Sequence, residues 1–500
     1  MKKKELLIIL GSLLVIVLSV SLAWFSMEIL GKEKEVSVDS ANLRIVFNSG
    51  TGTIAGSEIE PGWSSGVNTF TVKNESNSTY KYNIVIKDLV NTFITKGYLV
   101  YKITSTDGGY NMSEFKDVPK RSSTTDTVLA HSVEIAKGKT HSYSIEFKYI
   151  DTLVVDQSED MGKVLSGSLY IEKGTENIHG EYEEGTLGWQ ILNDNQTRGT
   201  RTSFSSIFTS DTTGTLFKST ESITGGPTKD VYYFAGNPTN NWVKFAGYFW
   251  RIIRTNHDGS IRLLYSGTRP DTTSGYIGAS KFNSTSNDSM YVGYMFGTSG
   301  SLASNRANTN NSTIKTYIDN WYSTNLSSYS KYISTEAVYC NDRNVASGTY
   351  SAAGSERFNY MAYGRLASKK TPTYDCTTPE DAFSGSNAKA KLTYPIGLMT
   401  ADEVSYAGGL AWANNPSVWY YLNSTGSSIT GSTWWWLLSP YFWYGTNASS
   451  FDVFGSSNPG RLGGSHVTDT LGVRPVVSVK STVTITGGNG APETPYTIGT

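Results

Sequence analysis

The chain has 500 residues, a formal net charge of −1 and only 17% charged residues, with 49 glycines, 32 tyrosines and 12 tryptophans. Near-neutrality removes any electrostatic case for nucleic acid or an acidic partner, and the length allows two or three domains. A chain polar through Gly, Ser, Thr, Asn and Tyr rather than through charge has the composition of an extracellular, mainly β protein with minor α, not of a helical cytosolic enzyme.

Lys2, Lys3 and Lys4 precede an almost unbroken apolar run from Leu6 to Phe25. As a helix it spans about 30 Å, one bilayer core, with the lysines cytoplasmic and everything after Ser26 outside. Residues 1–31 therefore read as a signal peptide or a membrane anchor. Ser21-Leu22-Ala23 matches the small-residue cleavage pattern only loosely, so both readings stay open. The membrane is a partner if the helix is uncut.

Residues 32–175 hold short alternating runs, among them Leu43–Phe47, Thr69–Lys73, Tyr82–Ile86, Tyr98–Ile103, His141–Phe147 and Gly167–Ile171, with Gly, Asn, Asp and Pro between many of them. Repeated short strands with turn signals predict an N-terminal β-sandwich. The stretch Ile59-Glu60-Pro61-Gly62, then Phe70-Thr71-Val72-Lys73-Asn74 and Tyr82-Asn83-Ile84-Val85, together with a leader ending Ala23-Trp24-Phe25, resembles the camelysin-type family of Gram-positive surface and biofilm-matrix proteins. That resemblance implies a Gram-positive extracellular location and a capacity for self-assembly. Some members are assigned protease activity, but no HExxH-type zinc motif occurs here and none is carried over.

Residues 176–204 are polar, with Glu181-Tyr182-Glu183-Glu184-Gly185, and read as a linker. A second domain is predicted over 205–485. It includes a hairpin, Phe249–Arg254 and Ser260–Tyr265 around the Asn256-His257-Asp258-Gly259 turn. Helical spacing of Ile314, Tyr317, Ile318 and Trp321 predicts a helix over 312–322. A short helix is predicted after Thr400, with Glu403 as capping-box partner and Gly408-Gly409 as its stop. Residues 486–500 read as an exposed tail. Cys340 and Cys376, the only cysteines, read as a disulfide in an oxidising compartment, with two free thiols as the other possibility.

Near the C-terminus, Trp434-Trp435-Trp436-Leu437-Leu438-Ser439-Pro440 leads into Tyr441-Phe442-Trp443-Tyr444, then a polar, glycine-rich run, then Gly472-Val473-Arg474-Pro475-Val476-Val477-Ser478-Val479. A strand cannot bury four consecutive rings on one face, so rings exposed beyond Pro440 are expected to form a contact surface. The candidate ligand-binding residues are Tyr441, Phe442, Trp443, Tyr444, Asn447, Ser449, Asp452, Ser456, Ser457, Asn458, Arg461 and His466. The polar members read either as a rim around the rings or as a solvated loop. Arg474 reads as structural.

The order Trp242-Val243-Lys244-Phe245, Trp250-Arg251-Ile252-Ile253-Arg254, Leu398-Met399-Thr400-Ala401-Asp402-Glu403-Val404, Trp435-Trp436-Leu437-Leu438-Ser439-Pro440 and Gly472-Val473-Arg474-Pro475 resembles a module of bacterial surface proteins. Its end is similar to the close of C-type-lectin-like domains, the α+β fold of formylglycine-generating enzymes and of the variable proteins of diversity-generating retroelements. The likeness to the lectin-like fold covers about the last fifty residues of the domain. It implies a rigid scaffold on which 441–470 is displayed and diversified.

Catalysis is not expected. His131, His141, His179, His257 and His466 are scattered, none with a Ser or Cys at a telling spacing, and no EF-hand, P-loop or zinc pattern occurs. No cofactor or metal is implied. The expectation is a surface protein that binds a protein or glycan ligand, adhesin-like, or alternatively a matrix or fibre subunit that assembles through its first domain.

Overall fold

The computed structural model describes 26–29, 34–37, 44–48 and 54–56 as backbone, and 59–498 except Asn77, Leu153, Glu176, 271–274, 416–433 and 456–457. The leader, 1–25, and the candidate residues Ser456 and Ser457 lie outside the described residues. Among the described residues no helix is long and apolar enough to cross a membrane. The chain is mainly β and divides into two units, 1–177 and 178–500.

In the first unit, alternation makes the strands. Along Thr140–Tyr149, His141, Tyr143, Ile145, Phe147 and Tyr149 are buried while the residues between them turn outward, the period of two that a half-buried strand requires. This strand sits in a six-stranded sheet of order Lys34–Ser37, Arg44–Asn48, Asn68–Asn74, Thr140–Tyr149, Leu99–Ser105, Lys116–Asp117. A five-stranded sheet has the order Ile54–Gly56, Ser26–Ile29, Val164–Lys173, Tyr80–Asn91, Arg121–Ile135. Ile84, Ile86, Leu89, Leu165 and Leu169 from the second sheet and Phe70, Val72, Ile103, Ile145 and Phe147 from the first share one core. Ser26–Ile29 runs parallel to Val164–Lys173, with Ser26 opposite Val164.

The second unit begins before the predicted boundary. The stretch expected to be a linker, 176–204, instead forms the helix Leu187–Asp194, capped by Thr186, and its Leu187, Ile191 and Leu192 enter the main core. The expected tail is also corrected. Tyr496–Ile498 pairs in parallel with Trp242–Phe245, and Tyr496 and Ile498 are buried. Both segments are polar overall and supply only a few apolar side chains each, which is why composition hid them.

The hairpin forms as expected from Tyr248–Thr255 and Ile261–Tyr265, with Gly259 at φ +77, where a residue without Cβ turns at no steric cost. Ile261–Tyr265 pairs with Pro475–Val479, which pairs with Ile396–Leu398. Thr313–Asn325 is helical from its Ser312 cap and buries Ile314, Ile318 and Tyr322. Ala401–Ala407 carries the expected capping box, Thr400 Oγ1 accepting from Glu403 N at 3.1 Å and Glu403 accepting from Thr400 N at 3.0 Å. Trp250, Trp435, Trp436 and Trp443 are among the largest fully buried side chains. Arg474 is structural: its Nε donates to the carbonyls of Gly275 at 3.0 Å and Tyr265 at 3.3 Å, and its guanidinium lies 4.7 Å from the Trp435 ring.

Cys340 and Cys376 are joined, 36 positions apart with Cα atoms 5.8 Å apart. Closing a loop of that length removes unfolded-chain entropy worth about 3–4 kcal/mol. Replacing both cysteines by Ala should lower the unfolding free energy of the second unit by about that amount, read as a shift in the denaturant midpoint, and reductant should then have no further effect on the variant.

Candidate functional site

Strand Trp435–Tyr444 carries the aromatic run. It pairs antiparallel with Ala448–Val453, with register shifts on either side of Pro440, and Ala448–Val453 pairs with Leu462–His466. From Trp435 to Ser439 every residue is buried, because both faces are covered. After Pro440 one face opens and the alternation returns. Tyr441 and Trp443 point inward and are 1% exposed, Phe442 is half-buried, and Tyr444 is 48% exposed. Of the four rings expected as candidate contacts, Tyr441 and Trp443 are therefore corrected: they belong to the core, while Phe442 and Tyr444 reach solvent. Ser449 and Asp452, expected on a polar rim, are also buried, since Ala448–Val453 lies between two neighbours. Asn447, Asn458 and Arg461 are half-buried, and His466 is exposed.

Two adjacent glycines make this packing possible. A Cβ at Gly464 would stand 2.3 Å from the Tyr441 ring, and one at Gly463 would stand 2.7 Å from the Phe454 ring. Successive residues of a strand face opposite ways, so one ring lies flat on each side of Leu462–His466. Phe454 in turn stacks on Trp434 with centroids 3.9 Å apart.

A residue that the sequence did not single out completes the surface. Trp412 is 47% exposed and has φ +68, a left-handed backbone that a bulky residue rarely adopts. Its N–H donates to the Leu462 carbonyl at 3.1 Å. Its ring lies 5.8 Å from Tyr441, and the Arg461 guanidinium lies 5.0 Å from that ring and 5.4 Å from Phe454. Arg357 covers Tyr444 at 3.8 Å. No local motif marks Trp412; an exposed Trp beside an Arg becomes visible only once Ala411 bridges to Leu462.

Polar atoms beneath this surface are unsatisfied. Both amide atoms of fully buried Asn415, the Tyr441 hydroxyl, Asp452 Oδ1 and Arg461 Nε have no hydrogen-bond partner among the described residues. Each such group costs about 1–3 kcal/mol. Burial pushes the Asp452 carboxyl well above the usual range, its neighbour Asp469 adds to the rise, and a 2.9 Å bond from Ser465 Oγ opposes it. Burial also raises the Tyr441 hydroxyl, with Tyr363 and Asp452 adding and Arg461 opposing.

A second polar centre lies around a cavity of about 20 Å³, room for one or two waters. Arg254 donates to Glu403 and to Glu221, each at 2.9 Å, and Arg262 donates to Glu403 at 2.7 Å. Arg365 grips Asp402 through two bonds of 3.0 and 2.9 Å and reaches Asp342 at 2.6 Å. The Cys340–Cys376 bridge borders the cavity. Burial alone would raise the Glu221 carboxyl, but Arg254 and His257 overcome it and hold it down at about 2. Glu221, Asp342, Asp402 and Glu403 are engaged by arginines, Asp375 accepts from Ser222 N at 2.8 Å, and the two sulfurs are joined to each other, an arrangement that ties elements together. Among the described residues no group of His, Cys, Asp or Glu is arranged to hold a metal.

No known family model matches the chain, and no curated protein is similar to it at a significant level.

The two buried carboxylates predict opposite pH responses. Unfolded Glu221 takes up its proton near its ordinary 4.5 and folded Glu221 only near 2, so its contribution is complete above 4.5 and is lost as pH falls toward 2. Asp452 keeps its proton to higher pH when folded, so its contribution to stability declines as pH rises above about 3.9. Glu221→Gln should cost about 3 kcal/mol at pH 7 and flatten the acid limb of the stability profile. Asp452→Asn should be no less stable than the parent at pH 7, and the two should converge toward pH 4. Denaturant titrations across pH 3–8 test both.

Proposed function

We propose that the chain is an extracellular, cell-surface ligand-binding protein, adhesin-like, with an N-terminal β-sandwich as stalk and a C-type-lectin-like second domain as the binding module. The observation that carries this reading is Trp412: a half-exposed ring in a strained backbone, flanked by Arg461 and underlain by buried polar atoms without partners. Backbone strain of this kind clusters at ligand-contact positions, and exposed aromatics beside arginine are the side chains that dominate binding energy. The ligand-contacting set on this reading is Trp412, Phe442, Tyr444 and Arg461, with Tyr441 and Trp443 as their support. The purified full chain, applied to an array of immobilised glycans and extracellular proteins, should give signals that fall at least about tenfold in the Trp412→Ala, Tyr444→Ala double variant. The melting transition should stay unchanged. Undiminished signals from that variant reject the assignment.

A second reading, assembly through the first domain, is favoured by Arg121–Ile135. This 15-residue strand ends its sheet, is exposed over 122–126 and contains neither Lys nor Pro, so it lacks two common means by which edges are blunted. If it pairs between copies, Thr124→Pro should abolish concentration-dependent polymer in sedimentation without lowering the melting temperature of the monomer. A chain that stays monomeric at high concentration counts against assembly.

A further inference from the structure

One end of the first unit is aliphatic. Ile94, Ile150, Val154, Val155 and Met161 are all exposed there, Val154 at 91%, although such side chains ordinarily turn inward. Buried Asp160 gathers them. Its carboxylate accepts from Ile94 N at 2.5 Å, Thr95 N at 3.1 Å and the Tyr149 hydroxyl at 2.8 Å. Gln157 Nε2 donates to the Ile150 carbonyl at 2.9 Å. The turn at 93–95, Ile150 and the limb 154–161 are thus held side by side, which brings the five exposed side chains to one end of the unit.

The strand register locates this patch along the chain. Ser26 lies opposite Val164, three positions from Met161. Val164 N donates to Thr92 Oγ1 at 2.8 Å and Thr92 N to the Val164 carbonyl at 3.0 Å, two positions from Ile94. The strand that follows the apolar run 6–25 therefore begins at the end of the unit that carries the patch. We propose that this end rests on the outer surface of the lipid bilayer that the apolar run enters, with Val154 and Val155 dipping between headgroups. The proposal rests on 6–25 being a membrane-entering segment and is independent of the ligand surface around Trp412.

The local charges specify the kind of attachment. Lys96, Lys120, Arg121 and Lys163 stand at this end beside Asp151, Asp156 and Glu159, so charges of both signs surround the aliphatic side chains. Attachment comes from aliphatic burial. It needs no anionic lipid and survives high salt.

The full chain, reconstituted in phosphatidylcholine vesicles, tests this. An environment-sensitive fluorophore is attached at one introduced thiol, Val154→Cys or Met161→Cys. Lys137→Cys, beyond the opposite end of strand Thr140–Tyr149, is the control. The native cysteines are occupied in their bridge. Labels at 154 and 161 should shift to the blue and be quenched several-fold by lipids carrying a quencher near the headgroup, at low and high salt alike, while the label at 137 reports water. Labels at 154 and 161 that ignore the lipid quencher overturn the proposal. A blue shift that ignores the quencher but grows with protein density assigns the patch to a second copy of the chain and overturns it equally.

Discussion

Two arginines face each other across a pair of buried strands, and the second unit is arranged around that constraint. Arg254 and Arg262 are cross-strand partners, a placement that repels unless an anion lies between them. Glu403 is that anion. It accepts from both, while its other oxygen caps its own helix at Thr400. One carboxylate thus fixes Ala401–Ala407 against the hairpin in position and direction. Removing it would leave Arg262 with no carboxylate in the interior and Arg254 with Glu221 alone, a change that costs about 3–5 kcal/mol. The helix ends at Gly408, φ +122, where a Cβ would stand 2.1 Å from the Phe208 carbonyl oxygen. The chain then turns into the segment that carries Trp412 and Asn415. The candidate binding surface is therefore positioned by an ion network that contributes no atom to it.

The aromatic ribbon follows a complementary logic. Gly463 and Gly464 remove side chains where rings must lie flat, so Tyr441 and Phe454 pack directly on backbone. This close packing buries Asp452 and pushes its carboxyl well above the usual range, and it leaves the Tyr441 hydroxyl without a partner among the described residues. The rings that reach solvent, Phe442, Tyr444 and Trp412, are then held on a base that cannot readily shift, and a rigid base lowers the ordering cost of binding.

Local rules in the sequence foresaw elements whose causes are local. The period of two in Thr140–Tyr149, the Asp-Gly hairpin, the helix over 312–322, the Thr400 cap and the Gly408 stop all follow from neighbours a few residues apart. What was missed depends on distant partners. Glu403 reads as a capping residue, and nothing nearby reveals arginines 149 and 141 positions away. The polar stretch 181–185 disguised a helix whose Leu187, Ile191 and Leu192 form an apolar face. Strand Arg121–Ile135 gives no strand signal because its first half, Ser-Ser-Thr-Thr-Asp-Thr, has no alternation. At the site, the rule that four rings cannot share one face held, but it did not say which two would be buried. Alternation past Pro440 decides that, and it needs the covered face to be known. Trp412 carries no signal without the bridge from Ala411 to Leu462.

The parallel pairing of Ser26–Ile29 with Val164–Lys173 also determines how the first unit bears a load. Ser26 begins one strand at one end of the sheet, and Lys173 finishes the other at the opposite end, from which the chain continues into the second unit. A pull between Ser26 and Lys173 draws these strands in opposite directions along their length. The hydrogen bonds between them are then stressed in shear, all together, instead of being opened one after another as in a peeled hairpin. Cooperative rupture of that kind demands far more force than unzipping, so the topology resists a pull applied between Ser26 and Lys173.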